Sequence, residues 1–180
     1  MAGLPEASAP SAGAAAVEKK APGDKTVACD LSINFDDLSA PTLFMDTTRL
    51  ITLPGYPGIT FEGPGGNDGG AVLNSSSFTI DGESEPNFLA FNTGSTLADG
   101  GTPQGPELIH FDQPIEYFQA KVATASGDSG TVTLTALDAS YGVVATRTET
   151  LTDTMTDMIV FGKNIMHVRV EFTSTVFVMD

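Results

Sequence analysis

The clearest alternation of apolar and polar residues lies between Ser129 and Thr148. In its first half, Val132 and Leu134 alternate with threonines, and a second apolar run follows a polar break. A period of two is typical of a half-buried β-strand. The break itself, DASYG at 138–142, has the composition of a turn that ends in glycine. This segment is therefore predicted to form a β-hairpin.

The same pattern of short apolar runs and Gly, Pro or Asp turns continues through the chain, and no useful 3.6-residue period accompanies it. It predicts an all-β, antiparallel, jelly-roll-like sandwich of about eleven or twelve short strands. The first strand is expected over Val27–Leu38, and separate strands are expected on either side of Asp112-Gln113-Pro114. The other expected strands are 43–53, 59–61, 78–80, 87–91, 157–161, 165–172 and 176–179.

The first 26 residues have a different composition from the rest. They are rich in Ala, Pro and Gly, with a small charge cluster at Glu18-Lys19-Lys20. Such a segment buries too little apolar surface to offset the entropy of ordering it. We therefore expect an extended tail over 1–26 and one β-sandwich domain over 27–180.

The charge excludes two classes of partner. The formal net charge is −15, with only 8 Lys and Arg residues. Nucleic acids and anionic membranes both require a basic surface, so neither is an expected partner. No run of 18 apolar residues is present, so we expect no membrane insertion. An acidic, lysine-poor surface fits a secreted or high-salt setting, a surface that holds divalent cations, or a means of staying soluble.

The sequence shows no set of catalytic residues. Cys29 is the only cysteine, so no disulfide forms within the chain, although Cys29 is free to pair with another chain. The two histidines, His110 and His167, lie in apolar β runs, where a packed or solvated side chain is the ordinary outcome. Nucleophilic catalysis needs a base beside the nucleophile. We therefore expect a protein that is not an enzyme.

Several motifs resemble, in the same order, a β-sandwich module common in exported bacterial proteins, many of which carry a PEP-CTERM-type sorting tail. They are INFDDL, PGYPGITFEG, PNFLAF, ELIHFDQPIEYFQAKVA, SGDSGTVTLTALDASYGVVAT and IMHVRVEFTSTVFVMD, and the match covers about Ile33 to Asp180. The resemblance implies a jelly-roll-like fold and an extracellular or cell-surface location. It implies no reaction. Since neither an anchor helix nor an arginine cluster follows, we expect no sorting to a membrane.

Calcium is the cofactor that the acidic residues favour. Calcium takes six to eight oxygen ligands, commonly on loops. Asp36 and Asp37 close the predicted first strand, and Asp180 ends the chain just after the last one; these strands often lie side by side in jelly rolls. Asp68, in the glycine-rich loop near Glu62, is a second candidate. A solvated acidic rim is the alternative.

Glycan binding would need an exposed aromatic platform. Tyr56 and Tyr141 lie in predicted turns and are the candidates, with Tyr117 as a third tyrosine. Tyrosines in turns also commonly pack a loop against the sandwich.

Two functions follow from these patterns. The first is a non-enzymatic, extracellular β-sandwich that binds a glycan or polysaccharide or serves in adhesion. The second is a structural subunit of a filament, coat or shell, whose N-terminal tail packs on neighbouring copies of the chain by adding a strand to a sheet edge.

Overall fold

The computed structural model describes residues 33–42, 50, 52–53, 56–63, 70–77, 79–90, 106–174 and 176–180. The chain divides into two units, Met1–Ser32 and Ile33–Asp180, and every described residue lies in the second. The predicted tail and Asp68 lie outside the described residues.

The described part of the chain is almost entirely antiparallel β-sheet, with two 3₁₀ turns at Phe35–Asp37 and Ser75–Ser77. The predicted all-β antiparallel fold is confirmed. The strands are β1 (Thr52–Leu53), β2 (Tyr56–Glu62), β3 (Ala71–Asn74), β4 (Asn87–Ala90), β5 (Glu107–Ala123), β6 (Gly130–Leu137), β7 (Val143–Leu151), β8 (Thr156–Phe172) and β9 (Val178–Met179).

Two long strands, β5 and β8, pair with each other and belong to both limbs of the sheet. In the first limb, the early part of β5 pairs with β2, and the late part of β8 pairs with β6, which in turn pairs with β7. In the second limb, the late part of β5 pairs with β9, and β4 and β3 continue outward from β9. The sheet is open, since β1, β3 and β7 each pair on one side in the described part of the chain.

The larger of two hydrophobic clusters contains buried residues from both limbs, as expected of a sandwich. Alternate residues of each limb point into this core, as the pleat of a strand requires. The first limb contributes Ile59, Phe61, Ile109, Leu134 and Val168, and the second contributes Leu89, Val122, Met158, Val160 and Met179. A smaller cluster, which includes Leu73, Phe88, Ala123 and Met155, involves β3, β4, β5 and β9.

Over the described residues, two predicted breaks prove to be irregularities within longer strands. The segment Asp112-Gln113-Pro114 lies inside β5, where the register with β8 shifts between His110 and Ile115. A proline is tolerated at such an irregularity because the missing N–H removes no regular ladder bond. In the same way, 157–161 and 165–172 join as β8, with Asn164 at a positive φ of 60°.

The predicted first strand is wrong over the residues described. Phe35–Asp37 forms a 3₁₀ turn, and the buried Asn87 of β4 holds it in place. The Asn87 side-chain amide donates to the carbonyls of Phe35 and Leu38, both at 2.8 Å. These contacts lie too far apart in sequence for local alternation to show them. Thr79 and Ile80 also lie outside any strand, whereas β3 was not predicted.

Candidate functional site

The two histidines lie directly opposite each other on neighbouring strands. His110 of β5 pairs with His167 of β8 in the first limb. Their neighbours Ile109 and Val168 are buried in the core. Because successive side chains of a strand point to opposite faces, both histidines lie on the outer face of the limb.

The histidine rings form a hydrogen-bonded chain that ends at a carboxylate. The two Nδ1 atoms are 2.8 Å apart, and His110 Nε2 lies 3.1 Å from Glu62 Oε2. A carboxylate accepts and does not donate, so Nε2 of His110 carries a proton. The Nδ1 atoms share one further proton between them, because two N–H groups or two lone pairs facing each other would repel.

Tyr141 reaches this pair from the β6–β7 hairpin. The Tyr141 N–H donates to the Asp138 carbonyl at 2.9 Å, and Asp138 Oδ1 accepts from the N–H groups of Ser140 and Gly142. These bonds close a three-residue loop whose last residue takes a left-handed conformation. That residue is Tyr141, at φ 61°. Its ring stacks on His167, with centroids 4.4 Å apart and planes 5° from parallel.

The backbone conformation of Tyr141 is unusual for its residue type. Glycine or asparagine is the usual choice at this position of a hairpin. A side chain with a Cβ costs about 1–2 kcal/mol there. Tyr141 nevertheless remains 56 % exposed, so burial of the ring does not compensate for this cost. Strained residues cluster at functional sites, which makes the stacked ring a candidate for ligand contact.

The pKa of His167 is lowered. Burial is the main cause, the neighbouring His110 lowers it further, and the Asp138 carboxylate acts in the opposite direction. His167 is therefore kept neutral near pH 7 and can both donate and accept a hydrogen bond. We name Glu62, His110, Asp138, Tyr141 and His167 the His–Tyr site.

The structure places the predicted tyrosines in different environments. Tyr141 lies in the His–Tyr site. Tyr56 begins β2, is half-buried and packs against the core, so the predicted turn at this residue is wrong. Tyr117 lies 6.2 Å from Phe161 between ring centroids, where β5 pairs with β8, and the two are 41 % and 65 % exposed.

Two of the predicted calcium ligands, Asp36 and Asp180, accept hydrogen bonds within the fold. Asp36 Oδ1 accepts from the Asn87 N–H at 3.1 Å, and the Asp180 carboxylate accepts from both the N–H and the hydroxyl of Ser84. Asp37 is exposed. Among the described residues, no group of three or more His, Cys, Asp or Glu side chains is placed to hold a metal ion. Calcium binding stays a prediction.

Sequence reasoning treated the histidines separately and missed the contact between them. They lie 57 positions apart, and their pairing depends on the register of β5 with β8. One signal was available: both histidines stand between apolar residues, in Ile109-His110-Phe111 and Met166-His167-Val168. The same alternation in two neighbouring strands puts both on one face.

Comparisons with known proteins find similarity among solved structures only. The chain matches no family model and no curated protein. It is similar to a solved structure of a DUF4465 family protein from Bacteroides caccae ATCC 43185, with a TM-score of 0.46 and 11 % sequence identity. The similarity covers 80 % of this chain and 87 % of the other.

The described residues contain no helix that is long and apolar enough to span a membrane.

Proposed function

We propose that this protein is a non-enzymatic, extracellular β-sandwich module that binds a glycan at the His–Tyr site. The observation that carries the proposal concerns Tyr141: its backbone has a positive φ, its side chain is exposed, and its ring stacks on His167. A ring fixed in this way offers a flat apolar face without losing further side-chain entropy when a ligand arrives.

The polar groups beside the ring suit the hydroxyl groups of a sugar. A sugar ring presents an apolar C–H face for an aromatic side chain and hydroxyl groups at its rim. The Glu62 carboxylate is a hydrogen-bond acceptor, and its side chain is 59 % exposed. The imidazole of His110 is 20 % exposed and lies between Glu62 and His167. An apolar surface with a few convergent polar groups is typical of a small-molecule site.

The experiment is a glycan array followed by a polysaccharide pull-down, with and without calcium. We expect the wild-type protein to retain a glycan and Tyr141→Asn to lose it. Tyr56→Phe is the matched control, because it removes one tyrosine hydroxyl outside the site and keeps the packed ring. Absence of binding to every glycan, or equal retention by wild type and Tyr141→Asn, would contradict the proposal.

A structural subunit is the second candidate, and the β7 edge favours it. β7 is nine residues long and pairs only with β6 in the described part of the chain. A free edge of this length can accept a strand from a neighbouring copy. Deleting residues 1–26 tests this candidate by electron microscopy and light scattering. Assembly that the deletion abolishes would support it, and a monomer in both forms would exclude it.

A further inference from the structure

We propose that His110 and His167 together bind a copper(II)-type transition metal through their two Nδ1 atoms. This metal site uses the two histidines of the His–Tyr site but does not require that a glycan binds there, and it differs in place and chemistry from the predicted calcium site. The pair is supplied by two hydrogen-bonded strands, so the relative position of its nitrogens is set by the sheet.

The distance between the two Nδ1 atoms determines which coordination geometry of the metal fits the pair. The two Nδ1 atoms are 2.8 Å apart. With metal–nitrogen bonds of about 2.0 Å, this separation subtends roughly 90° at the metal. That is the angle between neighbouring ligands in a square-planar or tetragonal complex, the geometry typical of Cu(II) and Ni(II). A tetrahedral zinc ion would need the nitrogens about 3.3 Å apart.

Neighbouring residues fix the tautomer of the His110 ring and the orientation of the His167 ring, as metal ligation requires. Glu62 accepts a hydrogen bond from the Nε2–H of His110, which leaves Nδ1 as the metal-binding atom of that ring. A carboxylate behind a ligating histidine fixes the tautomer and raises the basicity of the ring. Tyr141 stacks on the His167 ring and limits its rotation. The metal would replace the proton that the Nδ1 atoms share, and His167 would carry that proton on Nε2 instead, so that both rings bind as neutral imidazoles.

The chain would supply two ligands in this part of the structure, and water would complete the coordination. Among the described residues, no carboxylate, thiolate or further imidazole is placed to act as a third ligand. The affinity for the metal therefore depends on both Nδ1 atoms. Copper(II) has the highest affinity for such a site among the divalent first-row metals.

The test is a titration of the intact protein with Cu(II) alone, followed by electron paramagnetic resonance and calorimetry. His110 and His167 are the only histidines of the chain, and Cys29 is the only cysteine. Imidazole coupling in the spectrum therefore reports on this pair alone, and Cys29→Ser removes the thiolate alternative. We expect one equivalent of copper coupled to two imidazole nitrogens.

Variants distinguish the two proposed metal ligands, His110 and His167, from Glu62, which only orients a ligand. His110→Asn and His167→Asn should each leave a single coupled imidazole and weaken binding by more than about tenfold, whereas Glu62→Gln should weaken it by about tenfold and keep two nitrogens. A wild-type spectrum with one imidazole, or with oxygen ligands alone, would overturn the proposal whether or not the variants fold. Since no glycan is present, the result is independent of the proposed function.

Discussion

Replacing Tyr141 by asparagine should remove ligand contact while leaving the fold nearly as stable as before. The change relieves up to about 1–2 kcal/mol of left-handed backbone cost. It also loses the stack on His167, which for an aromatic pair contributes about 0.5–1.5 kcal/mol. Little hydrophobic burial is lost, because the ring is 56 % exposed. The opposing terms leave the free energy of unfolding within about 1.5 kcal/mol of wild type.

The assay is thermal unfolding followed by circular dichroism. For a domain of this size the melting temperature should change by no more than about 6 °C. Tyr141→Ala is the matched variant, because alanine loses the stack and keeps much of the backbone cost. It should therefore melt below Tyr141→Asn. An asparagine variant that melts more than about 10 °C below wild type, or below the alanine variant, would show that Tyr141 is a structural anchor and refute this reasoning.

Three further predictions concern the pH response, the core and calcium. In metal-free protein the pKa of His167 is lower in the folded than in the unfolded chain, so the unfolded chain binds this proton first as pH falls. The free energy of unfolding should therefore decrease as pH falls from about 6.5 through the folded pKa. In denaturant titrations at pH 5 and 8, His167→Asn should show a smaller decrease than wild type. Gly162→Ala should lower the free energy of unfolding by about 1–3 kcal/mol, because the added Cβ would collide with Val144 Cγ1. The loss should be smaller in a Val144→Ala background, and an equal loss in both backgrounds would contradict the clash. If calcium binds, EDTA should lower the melting temperature, calcium should restore it, and Asp37→Asn should weaken the response; a melting curve that responds to neither reagent would exclude the ion.

The hairpin could be predicted because its pattern is local. Alternation and turn composition placed it at 129–148, and β6 and β7 span Gly130–Leu137 and Val143–Leu151. The union of predicted strands into β5 and β8 could not be predicted, because it depends on how the two long strands pair along their length. The 3₁₀ turn at Phe35–Asp37 depends on Asn87, a partner distant in sequence. Alternation alone cannot show such a partner.

In the candidate site, too, features that are local in sequence could be predicted, and features that depend on distant partners could not. Tyr141 was a candidate because a tyrosine in a hairpin turn is visible in the sequence. Its positive φ and its stack on His167 were not visible, since they depend on the loop bonds of Asp138 and on the register of β6 with β8. The contact between His110 and Glu62 likewise depends on the pairing of β2 with β5.

The measurement that most directly tests glycan binding at the His–Tyr site is a proton NMR titration with the retained glycan. The chain has two histidines, so the imidazole Hε1 protons give two signals that report on the site. Glycan bound against Tyr141 should shift both signals with the same saturation curve. Saturable binding that leaves both signals unmoved would place the ligand elsewhere and contradict the account.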